Sequence, residues 1–253
     1  MITLLINLIL GWIGANLINF LADVLPTERK ITVPKCVKCG QSLSWKSYFL
    51  VNSCDHCGKK TSLRHKAVLI LLPILTGLLF FFPLENLDNY SAIVWLLYFS
   101  LVIVIDIQHR LIMHPVSVTG AVLGLIYGSL NQSLNHGFQK TIIGGVAGFG
   151  IMLVFYFLGE LFVRLLSKSR GETIEEVALG FGDVNLAGVI GLLLGWPGIV
   201  GGIFLAIMIG GIVSGIFLLI QLLQKKYMAY QALPYGPFLV LSTIALFYIS
   251  SLV

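Results

Sequence analysis

The chain has 253 residues, of which 57% are hydrophobic and only 11% charged, with a mean hydropathy of +0.95. Soluble domains carry about 25% charged residues, so a dissolved globular enzyme, a disordered tail, a collagen-like fibre and a disulfide-rich secreted scaffold are all excluded. The formal net charge is +5, and its placement along the chain carries more information than its size.

A helix needs about 20 apolar residues to cross a bilayer. Apolar runs predict helices over 2–22, 67–82, 91–107, 114–130, 141–165, 179–195, 198–223 and 235–252. None of these runs has the charged heptads of a coiled coil. The expected fold class is an all-α polytopic membrane bundle of about eight transmembrane helices, some of them short. No Lys or Arg precedes Arg29 and no small-residue cleavage site follows the first run. The run over 2–22 therefore reads as a retained anchor that enters N-terminus first, not as a cleavable signal. With the N-terminus outside, the inner loops are 23–66, 108–113, 166–178 and 224–234, and every Lys and Arg except Lys140 lies in or beside them. That is the positive-inside pattern. The basic excess then reflects topology and attraction to anionic membrane lipid, with no nucleic-acid partner. Three parts follow: the first transmembrane helix (1–22), a cytoplasmic insert (23–66) and a seven-helix membrane core (67–253).

The outer connections are brief, at 83–90 and 131–135. Small residues recur at four-residue spacing, as Gly144 and Gly148, Gly191 and Gly195, Gly198 and Gly202, and Gly211 and Gly215. Such spacing lets helix backbones approach closely where lipid removes the hydrophobic drive, so these pairs are read as packing surfaces.

All four cysteines fall in the insert, as Cys36-Val-Lys-Cys39 and Cys54-Asp-His-Cys57, each pair followed by a glycine, Gly40 and Gly58. Two Cys-x₂-Cys pairs can close a tetrahedron around Zn²⁺, as in zinc ribbons. The alternative is a pair of disulfides or a redox couple, which a cytosol-facing loop disfavours because thiols stay reduced there. Four thiolates complete a closed site without His56. Zinc in this position folds the insert and performs no chemistry.

The chemistry is sought instead among ionisable residues in the apolar runs, where charge is costly and marks function. Glu160 has Arg164 at i+4 and reads as a helix-surface ion pair. Asp106 ends the run Leu101-Val-Ile-Val-Ile105, and Asp183 follows Gly180-Phe-Gly182. The charge-derived topology puts both carboxylates at the same depth on the cytoplasmic side. Two acids brought together cannot both ionise cheaply, so one holds a proton while the other is charged. An aspartic protease uses that arrangement: the carboxylate takes a proton from water and the acid hydrogen-bonds to the scissile carbonyl. Gly180 and Gly182 would let an extended substrate approach the backbone. The plainer alternatives are that Asp183 caps its helix and that Asp106 pairs with Arg110 at i+4.

These motifs together resemble the type IV prepilin peptidases, membrane aspartic proteases of the Gly-x-Gly-Asp kind, over nearly the whole chain. Gly180-Phe-Gly182-Asp183-Val-Asn185-Leu186 is similar to the family's Gly-x-Gly-Asp-x-Lys-Leu. The Asp106 segment, the twin Cys-x₂-Cys insert, Asn19 with Pro26, and Leu233-Pro-Tyr-Gly-Pro-Phe238 follow the family order. The resemblance implies a bacterial inner-membrane enzyme that cleaves the short basic leader of prepilins or pseudopilins at the cytoplasmic face. It makes Asp106 and Asp183 the catalytic pair, with Gly180, Gly182, Asn185 and Arg110 in support and Cys36, Cys39, Cys54 and Cys57 as zinc ligands. Many such enzymes also methylate the new N-terminus with S-adenosylmethionine. Four departures stand out: Asn185 replaces Lys, Met113 replaces Pro, Val24 replaces Arg and Leu69 replaces a Glu associated with methyl transfer. Leader cleavage is therefore expected, with S-adenosylmethionine a cofactor only if methyl transfer is retained. Histidines 109 and 114 flank the first aspartate and read as solvated. A proton- or ion-coupled transporter would also carry membrane carboxylates, but near the midplane and with internal symmetry. A non-catalytic assembly protein with a zinc-ribbon docking insert would keep the cysteines without needing the aspartates.

Overall fold

The computed structural model describes residues 1–28, 31–36, 38–49, 53–54, 56–84, 87–130, 137–170, 179–224 and 234–248. Among them the chain is all-α: α1 (Ile2–Glu28), α2 (Trp45–Phe49), α3 (Leu63–Phe81), α4 (Asn89–His109), α5 (His114–Leu130), α6 (Gly137–Arg170), α7 (Phe181–Leu194), α8 (Gly198–Leu223) and α9 (Gly236–Tyr248). An isolated antiparallel bridge joins Lys35 and Ser42. Helices α1, α3, α4, α6 and α8 are long and apolar enough to cross a membrane, whereas α5, α7 and α9 are shorter apolar helices. The eight apolar runs thus appear as eight helices in the expected order, with five of full spanning length. The loop 131–135, residues 171–178 and 225–233 of the inner loops, and Leu233 lie outside the described residues.

Helix ends differ from the hydropathy reading where side chains supply caps. Helix α1 continues past residue 22 because Asp23 is held by Arg64 and Tyr48. Beyond Pro26, Thr27 Oγ1 bonds back to the Asp23 carbonyl at 3.0 Å. Helix α3 begins at Leu63 and not at 67, because Ser62 Oγ accepts the His65 N–H at 3.3 Å. That is the side-chain capping typical of Ser at a helix N-terminus. Helix α6 outlasts its predicted span, and Arg164 bonds Glu160 at 2.6 Å on its exposed face, the i,i+4 pair expected from the sequence.

Two compact units divide the chain, Met1–Leu84 with Asp88–Ile105, and Glu85–Leu87 with Asp106–Val253. In the first, Ala15, Ile18 and Leu72 form a buried apolar cluster that also takes up Leu69, Leu97 and Leu101. A reciprocal amide pair joins Asn7 and Asn89 at 3.0 and 2.9 Å, and Asn7 also donates to the Thr76 carbonyl. In bilayers such interhelical hydrogen bonds each contribute about 0.6 kcal/mol.

The second unit is organised around α7, which packs against α5, α6, α8 and α9. Its buried residues, from Asp183 and Val184 to Leu193 and Leu194, cover most of the helix surface and leave a half-buried stripe at Asn185, Gly188 and Leu192. Burial over so much of its circumference belongs to a central helix. Contact with α6 is backbone on backbone: a Cβ on Gly144 would overlap the Gly191 carbonyl, and one on Gly148 the Ala187 carbonyl. Gly202 lies against Leu194 Cδ1, at 3.0 Å from its Cβ position. Gly211 and Gly215 depart from the packing expectation, with nothing within 4 Å of either Cβ position among the described residues. The half of α8 that carries them is exposed.

Candidate functional site

Asp106 lies one turn before the end of α4 and is only 5% exposed. Helix α4 stops at Arg110, whose φ of 49° is left-handed and whose N–H closes the last helical bond, 2.8 Å from the Asp106 carbonyl. The Arg110 side chain points outward and makes no ion pair with Asp106 among the described residues, so the i,i+4 alternative is not formed. One oxygen of the Asp106 carboxylate, Oδ2, is buried without a hydrogen-bond partner.

Asp183 sits in the first turn of α7 and is 7% exposed. It is the third helical residue and not the N-cap; Gly180 takes that place and supplies no capping side chain. The Asp183 N–H donates to the Gly180 carbonyl at 3.0 Å. A Cβ on Gly180 would lie 3.4 Å from Asp183 Oδ2. The carboxylate makes no ion pair among the described residues. The charge of Asp106 acts directly on Asp183, so the two acids occupy one electrostatic neighbourhood.

Ile112, in the turn after α4, packs against the start of α7. A Cβ on Gly182 would fall 2.7 Å from Ile112 Cβ and 3.1 Å from its backbone nitrogen. Glycine at 182 is required for this close approach of the first turn of α7 to the chain that leaves Asp106. Tyr235 lies within electrostatic reach of Asp183 and packs edge-on against Phe238, with ring centroids 6.1 Å apart. Sequence reasoning noted the run containing Tyr235 and Gly236 without bringing it to the aspartates, and it missed Ile112, which has no chemical signature.

Asn185 is not brought to the pair. Two residues beyond Asp183, it emerges from the other side of α7 and lines an apolar groove of about 450 Å³ with His114, Ser117, Gly145, Gly188 and Leu192. His109 and His114 are both exposed.

The four cysteines converge in the first unit, with their sulfurs all within 4.8 Å of one another. Cys36 and Cys57 Sγ are 3.6 Å apart, and Cys39 and Cys54 Sγ 3.7 Å apart. Four sulfurs at about 2.3 Å from a central zinc would be separated by about 3.8 Å, so the donor set fits a tetrahedral ion. All four are free thiols. Two matching turns build the site. Gly40 N–H bonds Cys36 C=O and Gly58 N–H bonds Cys54 C=O, both at 2.8 Å, with positive φ of 70° and 66° at the glycines. The amides of Cys39 and Lys38 turned toward Cys36 pull its thiol down to about 6, which favours the thiolate that a metal needs.

Beside the cysteines lies a cavity of about 220 Å³ lined by Asp23, Tyr48, Ser62 and His65. Asp23 accepts from Arg64 Nη2 and from the Tyr48 hydroxyl. Burial first, and the Asp23 charge second, raise the Tyr48 hydroxyl well above its usual range, so it stays a donor. Asn19 Nδ2 bonds the His65 carbonyl at 3.1 Å.

A model of the type IV leader peptidase family matches residues 90–215, a stretch that contains both aspartates. The chain is 27% identical over 214 residues to a prepilin leader peptidase/N-methyltransferase of Myxococcus xanthus, covering 79% of this chain and 58% of the relative. It is 29% identical over 168 residues to a protein of the same description from Vibrio cholerae, covering 63% of this chain and 61% of the relative. The chain thus spans about three fifths of the length of these relatives. No solved structure matches it. With the apolar helices, these likenesses place residues 90–215 of the chain in the type IV leader peptidase family.

Proposed function

We propose that this protein is an aspartic endopeptidase that removes the leader of type IV prepilins or pseudopilins at the cytoplasmic face of the bacterial inner membrane. The observation that carries the reading is the pair Asp106 and Asp183: two buried carboxylates that feel each other's charge, neither engaged in an ion pair among the described residues. In the working state one carboxyl is charged and removes a proton from the attacking water. The other is neutral and donates to the scissile carbonyl. The pair acts as a unit, so the proton belongs to both. The unpartnered Oδ2 of Asp106 leaves a lone pair for water, and Gly180 beside Asp183 Oδ2 leaves room for an extended peptide. Residues 67–253 act as the peptidase core and 23–66 as an insert folded by a structural Zn²⁺ on Cys36, Cys39, Cys54 and Cys57.

Cleavage of a prepilin by purified protein tests the reading. Asp106→Asn and Asp183→Asn should each lower turnover by roughly a thousandfold or more, with helix content intact. The double variant should be no worse than the singles, because both groups act in one step. Near-native processing by either single variant would refute the dyad.

A further inference from the structure

The first turn of α9 meets Asp106 at a position where any side chain would collide with it. Gly236, the first residue of α9, is buried. A Cβ there would stand 2.6 Å from Asp106 Oδ2 and 3.3 Å from its Cγ, well inside ordinary contact distance. Gly236 has no positive φ, so space and not backbone conformation requires the glycine. Its amide bears on the same carboxylate, while Oδ2 keeps no hydrogen-bond partner. Ile112 Cδ1 lies 3.6 Å from the same Cβ position, and Ile112 also supports Gly182 at the start of α7. The first turn of α9 therefore closes on the Asp106 carboxylate at a position that only glycine leaves unfilled.

We infer that Gly236 is a positioning residue for the proposed cleavage: its bare Cα leaves the buried Asp106 carboxylate in place, with Oδ2 free of a protein hydrogen-bond partner and so able to engage the attacking water or the scissile carbonyl. The role rests on the peptidase reading. It makes the start of α9 a third element of the active site, although Gly236 carries no chemistry of its own. A glycine that serves helix packing alone would instead be indifferent to whether residue 106 has a carboxylate.

The test uses the full chain in detergent with a type IV prepilin as substrate, and two readouts. In the first, Gly236→Ala should lower kcat about 100-fold, the scale expected when a reacting group is displaced by about 1 Å, with KM unchanged. Gly150→Ala, on α6 where nothing among the described residues lies within 4 Å of the Cβ position, should keep the wild-type kcat. In the second, Gly236→Ala should lower Tm in the wild-type background but barely in an Asp106→Ala background, where no carboxylate remains to be struck. If Gly236→Ala alone fails to fold, folding of the double variant supports the contact and its failure overturns it. Wild-type kcat in Gly236→Ala, or an equal Tm loss in both backgrounds, overturns the positioning role. A wild type that cleaves no prepilin removes the peptidase reading and the role with it, and the Tm comparison still reports on the contact itself.

Discussion

Leu69 and Asp23 bear on whether the insert side of the chain can support methyl transfer. Such a site must hold a cationic sulfonium beside a free amine, and an unspent carboxylate is the natural counter-charge. Leu69 packs against Ala15, Ile18 and Leu72 and offers no charge. Asp23 lines the cavity beside the cysteines, but one of its oxygens accepts from Arg64 and the other from Tyr48. Both relatives are described as N-methyltransferases, yet in this chain the nearby acid is already neutralised by an arginine. We expect cleaved prepilin with little or no N-methylation and weak binding of S-adenosylmethionine. Mass spectrometry of the mature N-terminus checks this, and a methyl group that depends on this protein would refute it. The aspartates themselves were legible in the sequence because a charge in an apolar run stands out. Gly236 was not, because its importance comes from a contact with Asp106 that no local pattern encodes.

Helix packing shows the same limit at the scale of elements. Four glycine pairs at i,i+4 spacing look alike in the sequence. In the structure Gly144, Gly148 and Gly191 form the α6–α7 crossing, whereas nothing among the described residues lies within 4 Å of the Cβ positions of Gly211 and Gly215. Spacing identifies a smooth stripe, and only the neighbouring helix decides whether the stripe is used. Helix existence and order were legible from hydropathy alone. The ends of α1 and α3 were not, because they depend on Asp23 meeting Arg64 and on Ser62 capping His65. The crossing yields a prediction. Gly144→Val should destabilise the protein by about 1–3 kcal/mol or more, as overpacking of a close interface does, while Gly211→Ala should be neutral in the same thermal unfolding series in detergent. Equal Tm values for the two variants would mean that α6 and α7 do not meet at Gly144.

At the scale of the molecule, the two chemistries lie in different units. The thiol cluster belongs to the unit that contains α1 and α3, and the paired acids belong to the one built around α7. A closed four-sulfur site leaves no position for substrate, and neither Asp106 nor Asp183 is among the clustered ligands. Metal loss should therefore act on folding of the insert and leave the cleavage step in place. Structural zinc binding and folding are one free energy, so a metal-free insert should lose the two turns closed by Gly40 and Gly58. Purified protein should carry one zinc per chain. Cys36→Ser should release it and make residues 34–60 sensitive to protease, while helix content stays near the wild-type value. Its kcat on a prepilin should stay within a few-fold of wild type, because no proton in the proposed reaction passes through a sulfur. Three measurements on one preparation decide the matter: metal content, protease susceptibility of the insert, and turnover. A kcat that falls in proportion to zinc content would make the metal part of the chemistry and overturn the division of labour between the two units.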